Sequence, residues 1–355
     1  MKKEKTLITG GTGFLGSYLV ESLLEKSGED IVIFDRLKDY HAENNQNRRI
    51  KYFKGNVLSK KDVGEVFKTY GPFKTVYHLV ALMPHKVNTD ESIWNTNVNG
   101  TANFAAESAQ NGVKTFILTS TNVIYGIPDI LPVTEDTPVR PIEVYGRSKV
   151  QAEAILARYK NRMNIQILRC PVIMGARRLG LQAMLFDFIA DNKNVYVLGD
   201  GLNKYQFADP EDVVSALTKA SKIKGFDIYN IGADDVLSLK QIYEKIIEFA
   251  NSRSKIVSLP RGPAITVLKI LDKLNVSPFG IYQYTMIGES YFADTTKIKK
   301  KLGWKPKMTN LDSFIKNYQW YLENRNNFTR NPAGKLPANR SLPEMGIFKL
   351  LKMIS

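Results

Sequence analysis

The sequence holds one cysteine, Cys170, and three histidines, His41, His78 and His85, in 355 residues. A single thiol cannot close an internal disulfide, so stability must come from a packed core, and a reducing cytoplasm is the expected setting. No histidine has cysteines or a carboxylate cluster at ligand spacing, so no metal site is expected, and Cys170, following an apolar strand, reads as a small core residue. Apolar runs fall short of the roughly 20 residues needed to span a bilayer. The first such run, after Lys5, reads as a strand and not as the apolar part of a leader peptide. Internal repeats and low-complexity tracts are missing too. Acidic residues are outnumbered, 35 against 50 basic ones, for a formal net charge of +15. That excess suits anionic small molecules or an acidic lipid surface. Its scatter, as in Lys60, Lys61, Lys222, Lys224 and Lys299–Lys301, without interleaved aromatic residues, argues against nucleic acid.

What is abundant lies at the start. Thr6-Leu-Ile-Thr-Gly-Gly-Thr-Gly-Phe-Leu-Gly16 is an apolar strand running into a loop with glycines at 10, 11, 13 and 16. Small residues let the backbone turn and approach a pyrophosphate, and a helix beginning near Phe14 turns free N–H groups toward it. A second strand, Ile31-Val-Ile-Phe-Asp35, ends in an acid 19 residues after Gly16, where a ribose hydroxyl needs a partner. Gly10, Gly13, Phe14, Leu15, Gly16 and Asp35 are therefore candidate dinucleotide ligands. Asp35 would repel a 2′-phosphate and favours NAD, whereas the neighbouring Arg36 keeps NADP open.

Strand-like runs at 5–9, 31–35, 50–54, 74–80, 114–119 and 165–169 alternate with helical patterns, the rhythm of an α/β Rossmann-type, doubly wound parallel sheet. Beyond 170, helical patterns at 181–192, 210–222, 238–251 and 309–323 and short strands at 194–198, 204–208, 226–230 and 290–294 suggest a smaller C-terminal α/β lobe. The expected division is 1–170 for the dinucleotide, 171–325 for the substrate with some interleaving, and 326–355 as linker and tail. Ala264 to Leu274 forms an amphipathic helix with apolar positions at 264, 267, 268, 271 and 274. The tail, punctuated by Pro332, Pro337 and Pro343, ends in a short basic amphipathic stretch, 347–354. Such a stretch suits docking on the fold itself, on a second subunit or on an anionic bilayer, which would make the protein peripheral to a membrane.

A second constellation carries chemistry. Tyr145-Gly-Arg-Ser-Lys149 places a phenol and an ammonium one helical turn apart, and Ser120-Thr-Asn-Val-Ile-Tyr-Gly126 places hydroxyls at a strand end. A phenol near pKa 10 is a poor base, and a neighbouring ammonium is expected to lower it. Thr121, Tyr145 and Lys149 are the candidate catalytic set, poised to hold an alcohol or carbonyl oxygen and move its proton while a nicotinamide takes the hydride.

With these motifs, and with Tyr77-His-Leu-Val-Ala81, Asn97-Val-Asn-Gly-Thr101, Gly199-Asp-Gly201, Asp212-Val213 and Leu302-Gly-Trp-Lys-Pro306, the chain resembles the extended short-chain dehydrogenase/reductase family in its NAD-dependent epimerase/dehydratase branch over residues 5–324. The resemblance implies that Asn56 and Val57 lie near adenine, that Val80 and Ala81 flank the cofactor, that Asn97 and Tyr145 bind the cofactor, that His78 packs and hydrogen-bonds, and that Lys149 also holds the nicotinamide ribose. It implies a homodimer paired through helices containing 91–111 and 142–160. Two departures narrow the chemistry. Sugar 4,6-dehydratases carry Asp-Glu after the catalytic Thr, where this chain has Asn122-Val123. Where nucleotide-sugar enzymes usually carry an Asn and an Arg, this chain has Val172 and Tyr205; Arg177, Arg178 and Lys204 are candidates to replace the diphosphate grip, and together with Asn122, Val172 and Tyr205 they make up the candidate substrate contacts. The expected substrate is a small molecule, a nucleotide sugar that is oxidised and epimerised. The alternatives are a hydroxysteroid- or isoprenoid-type dehydrogenase at a membrane surface and a non-catalytic NAD sensor, the latter disfavoured because Tyr145 and Lys149 are both present.

Overall fold

The computed structural model describes residues 4–36, 47–84, 88–176, 178, 182–273, 281–286 and 288–330. His41, His85, Arg177 and the tail from 331 onward lie outside them. The first half of the chain runs β1 (Lys5–Thr9), α1 (Phe14–Lys26), β2 (Asp30–Asp35), β3 (Ile50–Lys54), α2 (Lys60–Tyr70), β4 (Thr75–His78), α3 (Asp90–Trp94), a π turn (Asn95–Asn99), α4 (Gly100–Gln110), β5 (Thr115–Thr121), a 3₁₀ turn (Asn122–Tyr125), α5 (Val144–Ala157) and β6 (Asn164–Cys170). The second half runs β7 (Val172–Ile173), α6 (Gln182–Ala190), β8 (Val195–Leu198), β9 (Phe207–Ala208), α7 (Pro210–Ala220), β10 (Phe226–Asn230), α8 (Leu239–Phe249), β11 (Ile256–Leu259), α9 (Arg261–Lys273), α10 (Ile281–Met286), α11 (Thr296–Leu302) and α12 (Asn310–Arg330).

Seven strands form one parallel sheet in the order β10-β6-β5-β4-β1-β2-β3. Its central strands are buried along nearly their whole length, which is why they read as continuous apolar runs: helices cover both faces. One face packs on α1 and α7 through Ile8, Leu19, Val20, Val213 and Leu217, the other on α2, α4 and α5 through Leu7, Val66, Phe104, Phe116 and Leu156. Strand order reverses between β1 and β4, and a crevice opens beyond their carboxyl ends.

Two segments assigned by sequence to the second lobe belong to this sheet instead. The strand at 226–230 is β10, paired with β6 from Phe226↔Ile165 to Asn230↔Arg169, and α7 covers the sheet beside α1. Rhythm in the sequence shows that a strand exists, not which sheet edge receives it. The second lobe proper gathers α6, α8, α12, β8 and β9 around Phe186, Ile242, Ile246, Phe314 and Tyr321. The strand expected at 204–208 shortens to β9, which pairs with β7, and 290–294 contributes only isolated bridges at Tyr291 and Ala293. The amphipathic helix appears as α9, with Val267 and Ile270 exposed. α12 continues to Arg330, so the expected linker is helical at its start.

Caps and staples explain several motifs. Ser238 and Gln241 form a reciprocal capping box on α8, and Asp209 caps α7 by accepting the Glu211 N–H at 2.8 Å. Buried Trp304 donates its indole N–H to the Asp212 carbonyl, while the Asp212 carboxylate accepts the Lys307 and Met308 N–H groups. The Asp212-Val213 and Leu302–Pro306 motifs thus fasten the chain after α11 to α7. Gly16 is demanded by the loop before it, since a Cβ there would sit 2.2 Å from the Gly10 carbonyl oxygen. Gly16→Ala is expected to cost about 1–3 kcal/mol, the usual penalty of forced overpacking, in chemical denaturation; an unchanged midpoint would show that the loop can yield.

Candidate active site

The crevice at the strand reversal is a cleft of about 520 Å³ lined by Gly10, Gly13, Asp35, Arg36, Asn56, Val57, Val80 and Ala81, among others. Gly10 has φ +72°, and its α-carbon approaches Val80 so closely that a Cβ would lie 3.0 Å from the Val80 nitrogen. Gly13 is the N-cap of α1 and no side chain caps that end, which leaves first-turn N–H groups for a ligand. Phe14 and Leu15 turn into the core, where Phe14 packs edge-on against Tyr18. Asp35 closes the acid end: its carboxylate accepts the Thr12 hydroxyl at 2.7 Å and the Arg36 N–H at 2.7 Å. The Asn56 side chain accepts the Leu58 N–H, and the Val57 carbonyl accepts from Asn103, so this adenine-side loop is braced from behind.

Ala81 and Leu82, lining the cleft, also pack against the cluster of Ile93, Val144 and Tyr145, so the cleft wall is shared with the start of α5. Tyr145, Lys149 and Thr121 are all buried there. Thr121 ends β5, and its hydroxyl interacts with the Tyr145 phenol and accepts the Val123 N–H at 3.3 Å. Lys149 donates to the Thr119 carbonyl at 2.7 Å. Asn97 lies behind the cleft wall and not in it: its amide accepts the Leu82 N–H and donates to the Leu82 carbonyl and to Ser148. His78 bridges Thr9 and Thr101 in the core, and burial pulls its pKa down to about 3, so it serves as a neutral packing element.

A family model described as NAD dependent epimerase/dehydratase matches residues 6–232. The chain belongs to that family. It is 33% identical over 321 residues to an uncharacterised protein of Sinorhizobium fredii, covering 90% of this chain and 79% of that one. It is 26% identical over 344 residues to a UDP-glucose 4-epimerase of Lactobacillus helveticus, covering 89% and 97%. The crystal structure of the Bordetella bronchiseptica enzyme WbmG in complex with NAD superposes with a TM-score of 0.74 at 22% identity, covering 91% of this chain and 95% of that one. The protein is an NAD-dependent enzyme of the epimerase/dehydratase family, and the cleft, with its uncapped helix end and acid, fits that cofactor.

One expectation is corrected. Tyr145 is pushed up to about 12 by burial, not lowered, and the cation that opposes the shift is Arg178 together with the Thr121 contact. The Lys149 ammonium is directed at the Thr119 carbonyl. Burial brings Lys149 down to about 8, offset in part by Glu153. The phenol is therefore protonated at neutral pH in this arrangement.

Glu153 was not anticipated from the sequence. One turn after Lys149, it forms a buried pair with Arg169 at 2.7 Å and accepts the Ser120 hydroxyl at 2.5 Å. Arg169 continues to the Tyr125 hydroxyl, which donates to Asn230. Burial opposes the Arg169 charge, yet the Glu153 pair holds it protonated above its ordinary range. The signals available were the i, i+4 spacing from Lys149 to Glu153 and a charged Arg169 inside an apolar strand; the Ser120↔Arg169 strand register is visible only in the fold.

Of the expected substrate contacts, Asn122 and Tyr205 come together. Asn122 is buried, and its side-chain amide is directed at the hydroxyl of Tyr205, which lies 3.3 Å from that of Tyr282. Arg178 lies within electrostatic reach of Tyr145, with its guanidinium over the Phe14 ring. Half-exposed Val172 and exposed Lys204 make no hydrogen bond or ring contact with Thr121, Tyr145 or Lys149. Among the described residues no group of metal-ligating side chains occurs, and no helix is long and apolar enough to cross a membrane.

Two measurements follow from this geometry. Glu153→Ala leaves Arg169 buried without a counter-charge and is expected to cost about 3–5 kcal/mol in denaturant unfolding, with partial recovery when Arg169 is replaced by Met as well; a loss under 1 kcal/mol (~) would mean the pair is solvated. The His78 ring resonances are expected to stay constant from pH 8 to roughly pH 5, because the folded pKa of about 3 lies below the unfolded one; its contribution to stability is lost as pH falls from about 6.5 toward 3. A titration of those resonances near neutrality would contradict the buried, neutral assignment.

Proposed function

We propose that the protein oxidises a secondary alcohol of a nucleotide-linked sugar and returns the hydride to the opposite face, an epimerisation of the kind named for its UDP-glucose 4-epimerase relative. The observation that carries this reading is the convergence of Thr121 and Tyr145 at the end of β5, against the Ala81–Leu82 wall of the dinucleotide cleft. Gly10, Gly13 and the free end of α1 would hold the cofactor's diphosphate, and Asp35 its adenosine ribose. The bound nicotinamide accepts and returns a hydride. Thr121 fixes the reacting oxygen and Tyr145 takes its proton, a step that requires the phenol to be brought below its resting value by cations around it. Lys149 is near enough along α5 to serve once it turns from the Thr119 carbonyl.

The residues after Thr121 support epimerisation over elimination. Asn122 and Val123 supply no carboxyl to move a second proton, whereas a buried amide beside the Tyr205 hydroxyl offers neutral donors suited to a sugar oxygen. The Tyr205–Tyr282 pair gives that pocket an aromatic wall carrying hydroxyls, a surface suited to a sugar ring.

Interconversion of UDP-glucose and UDP-galactose, with GDP- and dTDP-sugars, sterols and isoprenoid alcohols as comparison substrates, tests the reading. Tyr145→Phe is expected to lose about 10²–10⁴ in kcat, the usual share of a general base, with NAD affinity kept. Near-normal turnover by Tyr145→Phe, or activity confined to the lipid alcohols, would defeat it. NAD is expected to bind at least about tenfold more tightly than NADP, because Asp35 meets the 2′-phosphate; equal affinities would remove Asp35 from the ribose site.

A further inference from the structure

Arg178 has no carboxylate partner among the described residues. Its guanidinium donates through Nη2 to the Met83 sulfur at 3.1 Å and lies over the Phe14 ring, 5.5 Å from the centroid. A thioether is a weak acceptor for a planar group with five N–H donors. A partly buried cation so poorly matched costs free energy unless a ligand brings the anion.

The loop that carries Arg178 is fastened to the first turns of α1. Tyr18 donates its hydroxyl to the Ala176 carbonyl at 3.0 Å, and Gly175 lies against Phe14 and Pro210 so tightly that a Cβ would meet the Pro210 ring at 2.5 Å and the Phe14 ring at 3.3 Å. The Arg178 N–H closes a turn on the Gly175 carbonyl at 3.1 Å. Phe14 is the first residue of the helix whose N-cap, Gly13, lines the cleft, Met83 follows the cleft-lining Ala81 and Leu82, and Tyr145 is within electrostatic reach. The guanidinium therefore lies beside the first turn of α1 and next to one wall of the cleft. The pocket around Asn122, Tyr205 and Tyr282 has no hydrogen bond or ring contact with it.

We propose that Arg178 grips the diphosphate of the bound dinucleotide from the side opposite the glycine loop, clamping it between the α1 terminus and a guanidinium delivered by the chain beyond β7. Two parallel N–H donors match two phosphate oxygens. Arg178 is a positioning residue: by fixing the diphosphate it sets how far the nicotinamide reaches toward Tyr145. The assignment rests on the cofactor and not on the identity of the sugar.

Calorimetric titration of cofactor-free protein with NAD, ADP-ribose and AMP tests it. In Arg178→Gln the dissociation constants of NAD and ADP-ribose are expected to rise by about tenfold or more, as loss of a charge-assisted pair requires, while AMP, which lacks the diphosphate, binds as in the unaltered protein. Arg178→Lys should recover part of the loss, keeping the charge without the fork. Unchanged NAD affinity in Arg178→Gln overturns the proposal. So does an equal loss for all three ligands, which would make the arginine a general support of the cleft. Normal NAD binding with weakened UDP-glucose binding to the NAD-loaded variant would assign the guanidinium to the substrate and also overturn it. An unaltered protein that binds neither NAD nor ADP-ribose would refute the cofactor reading together with this one.

Discussion

A buried ammonium one helical turn behind a buried phenol is the constraint on which the rest of the site depends. Lys149 cannot stay charged inside the protein unless something on every side answers it. The Thr119 carbonyl answers from β5 at 2.7 Å, and Glu153 answers from the next turn of α5. Glu153 is buried in turn, and it is Arg169 on β6 and Ser120 on β5 that satisfy it. β5, α5 and β6 are thereby locked in one register, since sliding either strand by a residue would turn Ser120 or Arg169 to the opposite face of the sheet. The same register leaves Thr121 at the strand end beside Tyr145.

That arrangement separates holding charge from doing chemistry. The Thr119 carbonyl and Glu153 support the Lys149 charge, while Tyr145 rests protonated, held up to about 12 by burial. A protonated phenol is the acid needed when an alcohol is re-formed, and a phenolate the base needed when it is oxidised. In the proposed reaction Arg178, which acts electrostatically on the phenol, and Lys149, one helical turn along α5, are the cations that would move it between those states. Both are below their ordinary pKa through burial, so each gains from an anion brought near it.

Much of this was legible in the sequence because the dinucleotide half is dominated by local rules. A glycine loop between an apolar strand and a helix, and an acid after the second strand, are short-range patterns, and β1, α1 and β2 fall where those patterns put them. Tyr145 and Lys149 share a helix face by spacing alone. What failed depended on distant partners. β10 reads as a short strand in any context, and only pairing with β6 makes it the sheet edge. Spacing points to Lys149, the helical neighbour, as the cation acting on Tyr145, whereas in the fold Arg178 also acts on the phenol electrostatically, held beside α1 by Phe14. Glu153 passed unnoticed because its partner, 16 residues on in sequence, becomes a neighbour only across the α5–β6 packing.

The proposed reaction is a transient oxidation in which the hydride leaves a sugar carbon and comes back to it. The most direct measurement follows a deuterium label at the reacting carbon of UDP-glucose through turnover by the NAD-loaded protein. Retention of the label at that carbon in both epimers, with no net accumulation of reduced nicotinamide, is the predicted result. Loss of the label to solvent, or a stoichiometric build-up of reduced cofactor with a keto product, would contradict it.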